Sequence, residues 1–277
     1  MSYKRVLSIQ DISCVGQCSL TVALPILSAC GHETAIIPSA VLSTHTGGFE
    51  GKFTFRDLSD DIPAINQHWI KAGISFDAIY TGYLGSVKQI DMVKNVMKTV
   101  GKPGCKNIVD PAMADNGKLY VGFDQNYVDA MKSLCSVADI LLPNITEAAF
   151  LTDSEYKESY DEAYIDMLLE KLVKLGAKAV ILTGVSFKSD KTGVMVYENG
   201  IKNYYEHKKI SKGSHGTGDV YASAFVGALL KEKNMFDSAK IAADYTVKCI
   251  ENTYQDASHW YGAKFETAIP ELIEMLK

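Results

Sequence analysis

The sequence predicts an α/β protein in which helices cover both faces of a mostly parallel central sheet. Short apolar, β-rich segments recur along the chain, and most of the gaps between them carry apolar residues at the three- and four-residue spacing of amphipathic helices. Strands that alternate with helices are joined by right-handed crossovers, which favours parallel pairing. Because no Pro/Ser-rich linker interrupts the pattern, we expect a single domain over residues 1–277.

The predicted elements follow one another along the whole chain. The strands are Val6–Ile9, Thr34–Ile37, Ala78–Tyr80, Asn107–Val109, Ile140–Leu142, Ala179–Leu182 and Gly193–Tyr197. The helices are Met92–Lys98, Tyr127–Leu134, Tyr164–Leu175, the small-residue run Val220–Leu230 and Phe236–Ile250. Most pairs of successive strands therefore enclose a helix, as the predicted fold class requires.

Composition and charge argue against several classes of function. With 47% hydrophobic and 22% charged residues the chain is typical of a globular enzyme, and its apolar segments are too short to span a bilayer. The net charge of −5 argues against a nucleic-acid surface and favours a small-molecule partner. Strand-like residues follow the start directly, without a long apolar signal region, so we expect a cytoplasmic protein with no membrane partner. The cysteines include no Cys-x2-Cys pair, which argues against a zinc site or a redox dithiol.

The most informative segment is Lys212–Asp219, a glycine-rich turn that precedes an apolar helix. Gly213, Gly216 and Gly218 let successive backbone N–H groups point inward, and the helix adds the positive end of its dipole, so that a phosphate could bind there. Asp219 falls in the first helical turn, where the dipole is expected to hold it ionised as a proton acceptor. The segment thus indicates phosphoryl transfer to a hydroxyl. A purely structural turn stays possible, since the dipole alone favours an Asp at this place.

Two better-known phosphate-binding motifs do not fit this turn. A P-loop requires a Lys directly after its last glycine, and no Lys follows Gly218. A Rossmann fingerprint requires Gly or Ala where this chain has Tyr221, and it normally follows the first strand. The turn therefore belongs to another class of anion site.

Polar residues also follow the predicted strands at the edge where ligands gather in parallel sheets. They lie in Gln10–Ser13, Thr81–Ser86, Asp110–Asp115, Pro143–Glu147 and Thr183–Gly184. Asp110, Asp115 and Glu147 would surround the predicted phosphate site, where only a cation makes three carboxylates compatible with a phosphate. Mg²⁺ carried on a nucleotide is the natural candidate. Taken singly, Asp110 could start a turn, and Asn144 could cap a helix with Glu147 in a capping box.

Six segments in a fixed order carry a resemblance to a known family. They are Ser8–Gln10, Ser43–Gly47, Thr81–Ser86, Asp110–Met113, Pro143–Asn144 with Glu147, and Gly216–Asp219. This order resembles the pyridoxal kinases of the ribokinase-like superfamily and covers nearly the whole chain. The resemblance implies a ribokinase-like three-layer α/β/α sandwich. It also implies ATP-dependent phosphorylation of the 5'-hydroxymethyl group of pyridoxal, pyridoxine or pyridoxamine, the reaction of vitamin B6 salvage.

The resemblance implies roles for individual residues as well. Asp219 matches the catalytic base, and the amides of Gly216, Thr217 and Gly218 match the anion hole. The matches to nucleotide-contacting positions are Asp110, Asn144, Glu147, Thr183 and Thr217, and those to positions near the metal are Asp110, Asp115 and Glu147. The matches around the pyridine ring of the acceptor are Asp11, Thr46, Tyr83 and Asp219. The implied cofactors are ATP and Mg²⁺, with stimulation by K⁺, and the implied assembly is a homodimer.

Three positions depart from the family pattern. Asp11 stands where pyridoxal kinases usually have Ser; its carboxylate could pair with a protonated pyridine nitrogen or an amine and shift the preference among vitamers, or it could be a solvated turn residue. His215 replaces an aliphatic residue and is similar to the hydroxymethylpyrimidine kinases of thiamine synthesis, which however usually have Cys where this chain has Asp219. Ala114 replaces a common Gly.

Other functions therefore stay open. The main alternative is a hydroxymethylpyrimidine or hydroxymethylpyrimidine-phosphate kinase. A sugar kinase fits less well, because Tyr83 and the loop His45–Gly47 suit a flat ring better than a polyol. A non-catalytic vitamer-binding protein is the alternative from another class, but binding alone needs no base.

Overall fold

A nine-stranded sheet forms the centre of the computed structural model, which describes residues 3–47, 49–210, 214–256 and 258–277. The strands of this sheet are β1 (Arg5–Ser13), β2 (Glu33–Leu42), β3 (Phe55–Asp57), β4 (Phe76–Thr81), β5 (Gly101–Val109), β8 (Ile140–Leu141), β9 (Ala179–Val185), β10 (Lys191–Glu198) and β11 (Ile201–Lys208), while β6 (Ala114–Asp115) and β7 (Lys118–Leu119) form a separate two-stranded hairpin. The helices are α1 (Leu20–Ala29), α2 (Asp61–Lys71), α3 (Val87–Val100), α4 (Gln125–Cys135), α5 (Ile145–Leu151), α6 (Glu162–Lys174), α7 (Thr217–Leu230), α8 (Met235–Tyr254) and α9 (Ile269–Met275), the last preceded by a 3-10 turn at Phe265–Ala268.

Six neighbouring strands of the sheet run parallel, in the order β2-β1-β4-β5-β8-β9. β3 extends one edge antiparallel to β2, while β10 and β11 extend the other edge as an antiparallel pair. The predicted mostly parallel sheet is thus confirmed. From β1 the chain moves outward to β2 on one side and then returns to β4 on the other, so the carboxyl ends of β1 and β4 flank a topological switch point, where α/β sheets bind their ligands.

The apolar side chains of the strands point alternately to the two faces of the sheet. Both faces are therefore apolar, and helices cover each of them. In β1, Val6 packs with the helices α1, α7, α8 and α9, whereas Leu7 and Ile9 pack with α2 to α6 on the opposite face. α7 is buried along Val220–Leu230 and lies in contact with both α1 and α8. A helix that is apolar all round belongs in the interior, so its N-terminus is fixed beneath the carboxyl edge of the sheet.

Some elements were not predicted. α1 is mostly apolar, has Pro25 inside it and lacks the alternation of an amphipathic helix. β3 is exposed along all of its three residues, and β11 is polar enough to resemble a loop. In the parts of the chain that the structure describes, no helix is both long and apolar enough to cross a membrane.

Candidate active site at the carboxyl edge of the sheet

The glycine-rich turn forms the N-terminus of α7. Gly216 is the N-cap residue, with a left-handed φ of 76° that favours glycine. A Cβ atom at Gly216 would lie 2.1 Å from the backbone oxygen of Gln17, so close packing on the β1–α1 turn requires glycine as well. The N–H groups of the first turn of α7, from Thr217 to Asp219, have no acceptor within the helix. Gly213, which we predicted to shape the same turn, lies outside the described residues.

Asp219 is the third residue of α7 and is partly accessible from the crevice. Its Oδ2 accepts a hydrogen bond of 2.9 Å from the backbone N–H of Ser19. Burial raises the pKa of Asp219 to about 7, while the Ser19 hydrogen bond lowers it and the charge of Asp11 raises it further. Desolvation therefore outweighs the helix dipole that we expected to hold this carboxyl ionised, so that only part of Asp219 is ionised near neutral pH. A carboxyl with a pKa near neutrality is well suited to accept a proton in a reaction.

Asp11 lies inside β1 rather than in a turn after it. β1 continues past its predicted end at Ile9 as far as Ser13, and Asp11 is only 4% exposed. Its Oδ2 accepts a hydrogen bond of 2.9 Å from the hydroxyl of Ser13, and the hydroxyl of Ser19 lies close enough to lower the pKa of Asp11 as well. Burial raises the pKa of Asp11, and the two hydroxyls oppose that effect. The interpretation of Asp11 as a solvated turn residue is wrong.

Asn144 and Glu147 form the capping box that the sequence suggested at the start of α5. The side chain of Asn144 accepts a hydrogen bond of 2.9 Å from the N–H of Glu147, and Oε2 of Glu147 accepts one of 2.9 Å from the N–H of Asn144. Oε1 of Glu147 also accepts from the N–H of Met113 at 3.2 Å, and Nδ2 of Asn144 donates to the oxygen of Ala114 at 2.9 Å. The pair thus holds the segment after β5 against the start of α5.

Asp110 lies close enough to the capping-box residue Glu147 for the two carboxyls to interact. Asp110 follows β5 and is partly buried, and Glu147 is 3% exposed. Burial raises the pKa of Asp110 well above its usual range, and the charges of Glu147 and Asp219 raise it further. Burial also raises the pKa of Glu147 to about 7, although three backbone N–H groups lower it. A cation at this place would relieve the repulsion among the carboxyls.

Asp115 is exposed at the β6–β7 hairpin, where its charge still raises the pKa of Glu147. Its oxygens accept hydrogen bonds from the backbone and side-chain nitrogens of Asn116, at 2.8 and 2.9 Å. Within the described ranges, no group of three or more His, Cys, Asp or Glu side chains is placed to hold a metal ion by itself. Asp110, Asp115 and Glu147 therefore form no closed metal cage. Oxygen ligands from one or two carboxylates still fit a Mg²⁺ that phosphates and waters also bind.

Two of the predicted threonine contacts, Thr183 and Thr46, occupy different environments. Thr183 lies at the end of β9, where its N–H and hydroxyl donate to the oxygen of Pro143 at 2.9 and 3.3 Å. It therefore lies next to the Asn144 cap, and the isolated bridge between Thr183 and Asn144 confirms that proximity. Thr46 is exposed in the loop after β2 and contributes no interior contact.

Tyr83 belongs to a stack of three aromatic rings beside the switch point. Its ring lies 5.5 Å from that of Phe123, at an interplanar angle of 25°, and Phe123 lies 3.7 Å from Tyr127. The hydroxyl of Tyr127 donates to the oxygen of Leu84 at 2.7 Å, which fixes the stack to the end of β4. Burial and then the charge of Asp11 raise the pKa of Tyr83 to about 12, so its hydroxyl stays a hydrogen-bond donor at neutral pH.

His45 and His215 connect the loop after β2 to the glycine-rich turn. Their ring centroids lie 5.0 Å apart, and the ring of Phe49 lies 4.9 Å from that of His45. Nδ1 of His45 accepts a hydrogen bond of 3.1 Å from the N–H of Gly47, which requires the proton of the neutral ring to be on Nε2. Burial and then the charge of His215 lower the pKa of His45 to about 4, so the buried ring is neutral.

Sequence reasoning missed two residues of this site, Ser19 and Tyr120. Ser19 binds Asp219 although 200 positions separate them, so no local pattern could reveal the pair. Burial, followed by the charges of Glu147, Asp110 and other carboxyls of the crevice, raises the pKa of Tyr120. Its position just after the β6–β7 hairpin offered only weak evidence, since a Tyr beside a turn is common in any fold.

The geometry combines free helix amides, a carboxyl with a pKa near 7 and a pair of buried acids at one edge of the sheet. The amides can bind an anion, and the neighbouring Asp219 can take a proton from a hydroxyl that attacks it. The acid pair can share a cation with that anion. Such an arrangement is suited to phosphoryl transfer, which requires mainly positioning and charge stabilisation.

Comparisons with known proteins agree with this chemistry. A family described as phosphomethylpyrimidine kinase matches residues 30–262. The pyridoxal kinase of Dictyostelium discoideum is 28% identical over 245 residues, which cover 82% of this chain and 79% of that protein.

Two solved structures extend the similarity to almost the whole chain. One is a Bacteroides thetaiotaomicron protein assigned to the phosphomethylpyrimidine kinases and crystallised with pyridoxal; it is 33% identical, with a TM-score of 0.92 and coverage of 98% of this chain and 96% of its own. The other is the pyridoxal kinase of Lactobacillus plantarum, 30% identical, with a TM-score of 0.91 and coverage of 99% and 98%. The predicted ribokinase-like fold and the resemblance to pyridoxal kinases are confirmed.

Proposed function

The chain belongs to the phosphomethylpyrimidine kinase family, and we propose that within it the chain is a vitamin B6 kinase that phosphorylates the 5'-hydroxymethyl group of pyridoxal, pyridoxine or pyridoxamine with ATP. The observation that carries this proposal is the carboxyl of Asp219, whose pKa burial raises to about 7, at the N-terminus of α7. The similarity to pyridoxal kinases and to a relative crystallised with pyridoxal supports the choice of acceptor.

In the reaction, Asp219 accepts the proton of the acceptor hydroxyl while that oxygen forms a bond to the γ-phosphorus of ATP. The bond between the γ-phosphorus and the bridging oxygen breaks, and ADP leaves with the electron pair. The amides of Gly216, Thr217 and Gly218 stabilise the charge on the transferred group as an anion hole. Little covalent work is asked of the protein, so one base and well-placed donors account for most of the chemistry.

We propose that Asp110, Asn144, Glu147, Thr183 and Thr217 form the nucleotide side of the site. Mg²⁺ would neutralise the phosphate charge there, with Asp110 and Glu147 as the nearest oxygen ligands and Asp115 at the rim. The raised pKa values of Asp110 and Glu147 support this assignment, because packed carboxyls next to a phosphate chain are compatible only when a cation lies between them. Stimulation by K⁺ rests on the family resemblance.

On the acceptor side, we propose that Tyr83 contacts the flat ring, with Thr46 in the adjoining loop. Asp11 would bind a protonated nitrogen of the acceptor, since its carboxyl is buried beside Tyr83 and its hydrogen-bond donors are neutral hydroxyls. A cationic nitrogen would provide a positively charged partner for this carboxyl. We therefore expect pyridoxamine, whose amine is protonated at neutral pH, to benefit most from Asp11.

A hydroxymethylpyrimidine kinase is the second candidate, and two observations favour it: the description of the matching family, and the presence of His at position 215 in the glycine-rich turn, which is similar to those kinases. Both candidates phosphorylate a hydroxymethyl group on a flat ring, so Asp219 would act identically in either. The acceptors of the two candidate kinases differ in the substituents on the ring, and we propose that Asp11 and Tyr83 distinguish between them.

We propose further that the enzyme is a single-domain, cytoplasmic homodimer. One continuous sheet with apolar clusters on both faces supports a single domain. Phe53 and Phe55 are 38% and 46% exposed near the β3 edge, and burial of these rings in a partner surface would support a dimer. Light scattering of the purified protein measures the assembly directly.

The proposed function is tested by ATP turnover of the purified protein with Mg²⁺ and K⁺. Pyridoxal, pyridoxine, pyridoxamine and hydroxymethylpyrimidine are offered in parallel. Asp219→Ala is expected to lower kcat by about 10²- to 10⁴-fold, since it removes the base. Asp237→Ala is the matched control, because Asp237 also lies in the first turn of a helix, α8, but is exposed and outside the crevice.

The acceptor that turns over best decides between the candidates. Preferred turnover of a B6 vitamer, lost in Asp219→Ala and kept in Asp237→Ala, supports the proposal. Clear preference for hydroxymethylpyrimidine would assign the chain to the thiamine branch. Absence of turnover with all four acceptors would favour a binding protein.

A further inference from the structure

Ser19 has a backbone conformation that serine rarely adopts. Its φ is 54° and its ψ is −129°, in a region that is favourable almost only for glycine. Ser19 is the N-cap of α1, yet its side chain makes no capping bond; the carbonyl oxygen instead accepts from the N–H groups of Val22 and Ala23 at 3.0 and 2.9 Å. The hydroxyl is thus free of the usual task of an N-cap serine.

Ser19 interacts with two different carboxyls. Its backbone N–H donates to Oδ2 of Asp219 at 2.9 Å, and its hydroxyl lies close enough to Asp11 to lower the pKa of that carboxyl. Ser19 itself is only 5% exposed, so both interactions are shielded from water. One residue therefore acts on both the carboxyl proposed to take the proton of the acceptor and the carboxyl proposed to face the acceptor ring.

The surrounding turn is held in place from three sides. The amide nitrogen of Gln17 donates to both oxygens of Glu266, at 2.9 and 2.8 Å, and its amide oxygen lies 2.7 Å from Nε2 of His259. The backbone oxygen of Gln17 lies only 2.1 Å from the position that a Cβ atom of Gly216 would take. Strained conformations persist only where the surroundings enforce them, and these contacts supply that enforcement.

We propose that Ser19 is a positioning residue for the phosphoryl transfer: its enforced backbone conformation directs the amide at Asp219, while its hydroxyl orients Asp11. This inference rests on the proposed function for its catalytic meaning, but the geometry itself involves no ligand. The amide favours the charged form of Asp219. The other titratable groups that interact with the charge of Asp219 are Asp11 on β1, Cys18 in the same turn, Tyr80 on β4, Asp110 after β5 and Tyr120.

Two substitutions separate the two tasks. Ser19→Gly keeps the N–H but releases the conformational constraint, because glycine adopts this φ freely and also many others. Ser19→Ala keeps the constraint and removes only the hydroxyl. We expect Ser19→Gly to lower kcat by about 3- to 10-fold, because the hydrogen bond from the N–H of residue 19 to Asp219 loosens. The acid limb of the pH profile of kcat should then move upward by up to about one pH unit. Ser19→Ala should leave kcat within about two-fold and instead raise KM several-fold for the acceptor that Asp11 binds.

The titration of Asp219 provides a readout that does not depend on turnover. The protein is labelled with ¹³C at aspartate carboxyls, and the Asp219 signal is identified by its loss in Asp219→Asn. A midpoint that is higher in Ser19→Gly than in wild type and unchanged in Ser19→Ala supports the proposal, even if no acceptor is phosphorylated. A midpoint that is the same in all three proteins overturns it, and so does an equal shift in both variants.

Folding of the variants is checked by thermal melting. Because Ser19→Gly relieves strain, its melting temperature is expected to equal or exceed that of wild type, so a loss of kcat cannot be attributed to unfolding. Ser19→Gly should change the melting temperature by an amount that depends on pH. In an Asp219→Asn background this pH dependence should vanish, since the titrating partner is gone. A pH-dependent effect that persists in that background would contradict the proposal.

Discussion

Replacement of Asp219 by Asn should stabilise the folded protein at pH 8 while it lowers kcat by about 10²- to 10⁴-fold. The pKa of Asp219 is raised from 3.8, its ordinary value, to about 7 by burial. At roughly 1.4 kcal/mol per pH unit, this difference sets an upper limit of about 4 kcal/mol on the cost of ionising the buried carboxyl. Asp219 is partly accessible to water, so a gain of about 1–3 kcal/mol is the realistic expectation for Asp219→Asn.

The sign of the pH dependence follows from proton binding. Between pH 3.8 and about 7 the folded protein holds a proton on Asp219 that the unfolded chain has lost. The stability of the wild type therefore falls as the pH rises through this window. Asn carries no charge in either state and still offers an oxygen to the N–H of Ser19. The advantage of Asp219→Asn should thus be small near pH 4 and reach its full value above pH 7.

Urea unfolding at several pH values between 4.5 and 8.5 measures this difference, with the m-value as a check that both proteins unfold in the same way. Asp115→Asn is the control, because Asp115 is exposed at the β6–β7 hairpin and its removal should change the free energy of unfolding by less than about 0.5 kcal/mol at either end of the range. The reasoning would be refuted if Asp219→Asn were no more stable than wild type at pH 8. An equal gain at pH 5 and pH 8 would refute it too.

Three further outcomes are expected. Gly216→Ala should lower the free energy of unfolding in urea by about 2 kcal/mol or more and remove most of the activity, because of the φ of 76° and the contact with Gln17. Gly218→Ala is the comparison, because Gly218 has open space around it, and it should lower the free energy of unfolding by less than about 1 kcal/mol. Equal losses in the two variants would contradict this prediction. Asp11→Ser should lower kcat/KM for pyridoxamine relative to pyridoxine by about ten-fold, and unchanged ratios in parallel assays would remove the proposed contact. The kcat for the preferred acceptor should fall about ten-fold per pH unit below pH 7 and level off above it, since only ionised Asp219 accepts a proton; a flat profile from pH 5 to 8 would exclude Asp219 as the base.

The sequence predicted those parts of the fold and site that depend on local patterns. The parallel strands were found because each is a short apolar run, and the turn at Gly216 was found because its glycines stand directly before an apolar helix. The Asn144–Glu147 capping box was likewise visible as a three-residue spacing. Each of these features is determined by neighbours within a few positions along the chain.

The features that were missed depend on contacts between distant segments. β1 extends to Ser13 through polar residues that resemble a turn, and only the packed site shows that Asp11 is buried there. The bond from Ser19 to Asp219 joins segments 200 positions apart. The raised pKa of Asp219 has the same kind of origin: the helix dipole can be inferred from sequence, whereas the desolvation that outweighs it is a property of the assembled core.

The cost of burying Asp219 and its use as a base have a single structural origin. α7 is mostly apolar along Val220–Leu230, and it can bury that apolar surface only in the interior of the protein, against the sheet. Asp219 directly precedes this run, so it stays partly buried as long as the helix occupies the core. Burial raises its pKa from 3.8 to about 7, which makes the carboxyl roughly a thousand-fold stronger as a proton acceptor at equilibrium. The N–H of Ser19 then moderates this effect, so that a useful fraction of Asp219 is ionised at neutral pH.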